Sequence, residues 1–315
     1  MTLNERALAV AEDMISSADD LRIKVEYIGG ARVLDCGIRA AGGLLAGLGL
    51  ARTCLAGLAT VTLSPEDVGG RSCPAVQVAT DHPVASCLAS QYAGWQIRVG
   101  KFFAMGSGPM RAAYGKEPLF DHLPGREQPP VAVGVLETRK IPDDEVIAFL
   151  CQRLNLPAAK LTLLVAPASS IAGTMQVVAR SLETALHKLH ELHFDLTQVI
   201  AGYGTAPLPP VAHDEIQAIG WTNDAILYGG SVVIWVRSDD DQLATLGPKV
   251  PSSASPDYGA PFAAIFERYQ RDFYKIDPML FSPARIVFHN LTTGKSLTFG
   301  GTEPDVLRRS FLGIG

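Results

Sequence analysis

The chain has 315 residues, more than one hydrophobic core usually organises, so two domains are expected, with a ligand pocket between them as the default site. Hydrophobic residues make up 47% and charged residues 19%, a balance that fills a large core and excludes a long disordered tail. The net charge is −5, with Lys and Arg scattered singly, which excludes nucleic acid as a partner.

In chain order, residues 1–20 are acidic and carry Leu3, Ala7, Val10 and Met14 at helical spacing, which predicts an amphipathic helix rather than an export signal. Four short segments with strand character follow, RIKVEYI, ARVLDCGI, CLAGLATVTL and AVQVATD, separated by Gly, Pro and Asp. The apolar stretch AAGGLLAGLGLA at 40–51 is too short to span a bilayer and reads as a buried small-residue packing segment, so no membrane association is expected. A helix is predicted from Pro83 to Tyr92, a strand from Trp95 to Val99, and then a loop, FFAMGSGPMRAAYG. The turn-rich FDHLPGREQPP reads as a linker and puts a domain boundary near Pro129. That divides the chain into a strand-rich domain at 1–129 and a mixed α/β domain at 130–315.

The second half is more regular. A strand VAVGVLET, a helix starting at Asp143 or Asp144, a strand KLTLLVAP and a helix opened by Ser169 and Ser170 follow one another. A strand in DLTQVIAGYGT and two apolar runs, AILYGG and SVVIWVRS, read as a hairpin joined at Gly-Gly, and ARIVFHNLTTGKSLTFGG as another turned at Thr293-Gly294. The expected class is α/β of the α+β type, two domains with mixed sheets. The five cysteines are an odd, widely spaced set without a C-x-x-C pair, which points away from disulfides and zinc and fits a reducing cytoplasm.

The segment at 169–194 carries the most chemical information. Read as one helix, Met175, Val178, Leu182, Leu186 and Leu189 form a buried stripe, and Gln176, Arg180, Glu183 and His187 form a polar row beside it. Arg180 and Glu183 are then neighbours three apart, the spacing of an ordinary helix ion pair worth a few tenths of a kcal/mol. His187, His190 and His193 diverge by about 60° at each step of three, which argues against a shared metal. In AMGSGPMRA, Ser107, Gly108 and Arg111 offer a flexible backbone, a hydroxyl and a cation to a ligand anion, without the glycine spacing of a nucleotide loop.

Several strings taken together, SCPAVQVATDHPVASCLASQYAGW, KFFAMGSGPMRA, ARSLETALHKL, GWTNDAILYGG and KIDPMLFSPARIVFHNLTTGK, resemble the methenyltetrahydromethanopterin cyclohydrolase family, in the expected order along most of the chain. The resemblance implies a metal-free cytoplasmic enzyme, a homotrimer with no permanently bound cofactor, whose substrate is a tetrahydromethanopterin derivative. The reaction implied is reversible hydrolysis of a methenyl bridge to a formyl group, which serves one-carbon metabolism. It assigns the catalytic positions to Arg180 and Glu183, and Ser107, Gly108, Arg111, Asn223 and Asp224 to substrate binding. Tyr92 stands where some archaeal relatives are expected to have lysine, which suggests a less charged cofactor tail. The alternatives are a methenyl-tetrahydrofolate cyclohydrolase, although no nicotinamide fingerprint accompanies the chain, and a non-catalytic pterin-binding protein.

Overall fold

The computed structural model describes residues 1–272 and 275–313. In chain order the main elements are α1 (Leu3–Ser16), α2 (Ala18–Leu21), β1 (Lys24–Ile28), β2 (Ala31–Asp35), α3 (Leu44–Cys54), β3 (Thr60–Asp67), β4 (Ser72–Thr80), a π-helix (Val84–Gln91), β5 (Trp95–Val99), β6 (Phe102–Ser107), α4 (Met110–Tyr114), β7 (Ala132–Glu137), α5 (Asp144–Leu154), β8 (Leu161–Ala166) and α6 (Ile171–Val178). Then come α7 (Ser181–Glu191), β9 (Val199–Pro207), α8 (Glu215–Gly229), β10 (Ser231–Val236), α9 (Asp240–Leu246), α10 (Phe262–Arg268), β11 (Arg285–Asn290), β12 (Ser296–Gly300) and α11 (Pro304–Leu312). They form two compact units, one of Met1–Ala59 with Val84–Val177, the other of Thr60–Pro83 with Val178 onward.

The first unit holds a six-stranded mixed sheet in the order β1-β2-β8-β7-β6-β5. Successive side chains point to opposite faces, and both faces are buried. Val33, Leu163 and Leu136 pack with α5 through Val146, Ile147 and Leu150. Their neighbours Leu34, Leu164 and Val135 pack on the other side with Ala7, Ala11 and Met14 of α1 and Leu50 of α3. Helix α1 opens with a capping box: the Thr2 hydroxyl accepts the Glu5 amide at 3.1 Å and the Glu5 carboxylate accepts the Thr2 amide at 2.8 Å. The expected boundary near Pro129 falls inside this unit, because β7 pairs with both β6 and β8. The linker-like stretch is pinned as well, since the Glu127 carboxylate accepts the amides of Leu3 and Asn4 and the Asn4 side chain.

The second unit holds a mixed sheet in the order β12-β11-β10-β9-β4-β3, with β10 and β11 parallel and the other pairs antiparallel. Helices α7 and α8 pack against β9.

Three further expectations change. The run CLAGLATVTL is the end of α3 followed by the start of β3, and 40–51 is largely helical, with Leu44 and Leu45 exposed. The segment AILYGG closes α8 instead of forming a strand, since Ala225, Ile226, Leu227 and Tyr228 are buried on all sides of the helix and Gly230 caps it before β10. The loop after Lys101 is β6, a turn at Gly108 (φ +84°) and α4.

Candidate active site

The segment that reads as one long helix is two. Helix α6 ends at Val178, and Arg180 takes φ −88° and ψ 5° before α7 begins at Ser181. No Pro or Gly marks the break, and the apolar stripe runs through it without a change of period, with Met175 and Val178 buried in α6 and Leu182, Leu186 and Leu189 in α7. The polar row is therefore divided: Gln176 belongs to α6, Arg180 is the N-cap of α7, and Glu183 is its third residue. Arg180 and Glu183 are still brought together on one helical turn, and both are buried, at 7% and 4% exposure. Glu183 occupies the end of α7 where the helix dipole favours a negative group.

This first turn rests directly on β9. A Cβ on Gly204 would lie 2.7 Å from the Ser181 Oγ and 2.9 Å from the Leu182 amide nitrogen, and one on Gly202 would lie 2.7 Å from a Leu182 methyl. Two glycines one residue apart on the same face of β9 thus let the helix approach the strand closely. Further along α7, the buried Lys188 donates its ammonium to the Met279 carbonyl in the turn Pro278–Leu280. Burial pushes the Lys188 pKa down to about 8 against the opposing pull of Asp277.

In the first unit, Ser107 ends β6 with its hydroxyl buried, donating to the Val135 carbonyl at 3.2 Å and lying 3.4 Å from the Cys54 Sγ. Cys54 in turn donates to the Gln176 side-chain oxygen at 3.7 Å. The Gly108 amide donates to the Ser90 carbonyl at 2.9 Å, and its positive φ is what the sharp turn into α4 requires.

Arg111 is fully enclosed, and its guanidinium faces a protein cage rather than an open loop. Nε donates to Glu117 Oε1 at 2.9 Å, Nη2 to Oε2 at 2.6 Å, and Nη1 to the carbonyls of Leu88 and Ser90 in the π-helix. The Tyr92 and Phe120 rings lie 4.9 and 5.4 Å from its carbon. An aromatic ring at position 92 stabilises this cation, whereas a lysine would place a second cation beside it. Sequence reasoning missed Glu117 because the partner of Arg111 is six residues away, beyond a turn.

On α8, the Asn223 amide donates to the Ile219 carbonyl at 2.8 Å, and the side chain remains partly exposed. Asp224 is completely buried and braces three helices. Its Oδ1 accepts the Phe262 amide at 2.7 Å at the start of α10, and its Oδ2 accepts the Ser310 hydroxyl of α11 at 2.5 Å. Burial raises its pKa to about 7, against the lowering effect of those two donors. Among the described residues, no group of three or more His, Cys, Asp or Glu could hold a metal ion, and no helix is long and apolar enough to cross a membrane.

Residues 2–311 match the model of the family described as Cyclohydrolase (MCH). A protein of Rhodopirellula baltica named methenyltetrahydromethanopterin cyclohydrolase is 48% identical, over 98% of this chain and 94% of its own length. Proteins of the same name from Methanosarcina barkeri and Xanthobacter autotrophicus are 41% and 46% identical, covering 99% and 96% of this chain and 98% and 90% of theirs. Identity at this level along nearly the whole of each chain leaves no region of the fold outside the match, and the chain belongs to the MCH cyclohydrolase family.

Proposed function

We propose that the protein catalyses the reversible hydrolysis of methenyl-tetrahydromethanopterin to formyl-tetrahydromethanopterin, with Glu183 as the base that activates water and Arg180 as the group that orients it. The observation that carries this reading is the placement of a buried Arg180 and a buried Glu183 on one helical turn, in a chain matched along its length to proteins named for that reaction.

The substrate supplies its own electrophile, a cationic amidinium-like carbon. Water oxygen forms a bond to that carbon while Glu183 takes a water proton. One carbon–nitrogen bond then breaks, the departing nitrogen takes up a proton, and the carbon remains as the formyl group. Cation plus water gives neutral product plus one released proton, so the balance needs no redox partner. Proton transfer by a positioned carboxylate contributes about 10²–10⁴ in rate. The same carboxylate attracts the cation, by about 4 kcal/mol for unit charges 4 Å apart at an effective dielectric of 20. Only the part of that attraction which grows toward the transition state accelerates the step.

Asn223 contacts the pterin in this reading, whereas Ser107 and Gly108, both buried, shape the turn into α4. Arg111 and Asp224 act behind them, Arg111 by fixing the turn that carries Gly108 and Asp224 by fixing the helix that carries Asn223. The reading extends to a homotrimer in the cytoplasm that needs no resident cofactor.

The test is to mix the purified protein with methenyl-tetrahydromethanopterin, and separately with methenyl-tetrahydrofolate, and follow loss of the methenyl chromophore with and without a chelator. Rapid loss of the methanopterin compound, indifferent to chelator, is expected. A preference for the folate compound would transfer the activity to that substrate, and inertness toward both would overturn the enzymatic reading.

A further inference from the structure

The π-helix Val84–Gln91 is an uncommon element, since bonding from each carbonyl to the amide five residues on is rare, occurs mostly as single turns and recurs at functional sites. It closes with the Tyr92 amide donating to the Cys87 carbonyl at 2.8 Å. An α-helix would give that amide to the Leu88 carbonyl, one residue nearer. Leu88 O is engaged from outside the helix instead: it accepts Arg111 Nη1 at 3.0 Å, and the same nitrogen reaches the Ser90 carbonyl at 3.3 Å. The Gly108 amide also donates to the Ser90 carbonyl, at 2.9 Å. Every residue from Ser86 to Gln91 is buried, so a carbonyl released at this end of the helix meets no water. Glu117 takes Nε and Nη2 of Arg111, which leaves Nη1 to face the helix. Gly94 makes room for this arrangement, because a Cβ there would press on the Glu117 carboxylate and the Tyr92 ring.

We propose that Arg111 is a positioning residue that locks residues 84–91 in the π register and, through that register, sets the turn at Gly108. Without the guanidinium, the Leu88 carbonyl is buried with its donor gone, a costly state for a main-chain group. The donor that an α register offers it is the Tyr92 amide. Rewinding to an α-helix satisfies the carbonyl, turns Gln91 and Tyr92 round the helix axis and draws the Ser90 carbonyl away from the Gly108 amide. Arg111 thus acts on the turn from behind, by choosing between two hydrogen-bond registers of one segment. The lock itself is a property of the first unit, and its link to turnover rests on the hydrolase reading above.

Arg111→Met fills similar space with no donor. Its crystal structure is expected to show the Tyr92 amide moved from the Cys87 carbonyl to the Leu88 carbonyl, and kcat/KM is expected to fall 10- to 100-fold, carried mainly by KM because the pair on α7 is untouched. Gly94→Ala loosens the hold while keeping the cation, and decides the matter alone if Arg111→Met fails to fold. In that variant the amides of residues 90–92 should exchange with deuterium at least tenfold faster than in the parent, with KM raised at least threefold. A purely structural role for Arg111 lowers the thermal midpoint but leaves the segment in the π form and KM at the parent value, and that result overturns the proposal. A rewound segment with the parent's KM overturns it too, as does parent-like exchange and KM in Gly94→Ala. A parent inert toward both methenyl compounds removes the hydrolase reading, and the register seen in the Arg111→Met crystal and the exchange rates of Gly94→Ala then decide the lock by themselves.

Discussion

Arg180 and Glu183 share the first turn of α7, as N-cap and third residue, and the chain before Arg180 belongs to a different helix. Their proximity is therefore set by where α7 starts, not by a ladder continuing from α6. Changing Glu183 to Gln keeps shape and removes the base. The expected outcome is a loss of about 10²–10⁴ in kcat, with circular dichroism and pterin binding retained. Arg180→Lys keeps the charge but loses the planar fork, and an initial-rate assay is expected to show a substantial fall in kcat as well.

The support beneath this turn predicts a contrast between two glycines. At position 204 an added methyl meets the Leu182 amide nitrogen and the Ser181 hydroxyl, so the helix start must lift. At position 202 it meets the Leu182 methyls, the movable end of a side chain. Gly204→Ala is expected to cost about 1–3 kcal/mol of stability, as overpacking typically does, and to reduce turnover more than Gly202→Ala. Urea denaturation and kcat measured on the two variants check this.

Removing one member of the Arg111–Glu117 pair leaves the other enclosed without its counter-charge. Glu117→Gln is expected to destabilise the protein by about 3–5 kcal/mol, read from the shift in denaturation midpoint. Replacing both residues together should cost less than the sum of the single changes, a coupling that a double-mutant cycle measures directly.

Asp224 predicts a pH dependence of stability. Burial raises its folded-state pKa to about 7, above the ordinary carboxylate value, so the folded protein holds this proton more tightly than the unfolded chain. Its contribution is fully present below about pH 4, declines as pH rises toward 7 and is flat above, because in that window the folded state binds more protons. In Asp224→Asn the side-chain oxygen still accepts the Phe262 amide and the amide nitrogen can donate to Ser310. That variant should therefore lose this decline, and thermal midpoints collected from pH 4 to 8 for both proteins test it.

Much of the architecture could be read from local signals. The Asp143 cap of α5, whose carboxylate accepts the Val146 amide at 3.0 Å, is where capping chemistry places it. The turn at Gly294 joins β11 and β12 as the Thr-Gly pair predicts. Structure and sequence pattern diverge where tertiary contacts overrule local signals. The heptad-like stripe of 175–189 continues across the helix break because both helices need a buried face, so periodicity cannot reveal the break. Tyr228-Gly229-Gly230 resembles a hairpin turn, yet Tyr228 is buried and its hydroxyl donates to the Ala260 carbonyl at 2.6 Å, which commits the segment to a helix. At the site, Arg180 and Glu183 were legible through resemblance and spacing. Gly204 was not, because a missing Cβ acquires meaning only when the strand beneath the helix is known.

The interleaving of the two units also dictates an order of assembly on the ribosome. All strands of the first sheet have been synthesised once β8 emerges at Ala166, but β4 has only its hairpin neighbour β3 at that stage. Its other partner, β9, ends at Pro207, with Gln77 paired to Thr205. During that interval β4 has one unpaired edge, the kind of feature that invites wrong strand partners. Glu66 and Asp67 on β3, and Pro74 within β4, are features that discourage such pairing. The nascent chain thus carries its own protection against misassociation through the stretch of translation when the hairpin waits for β9.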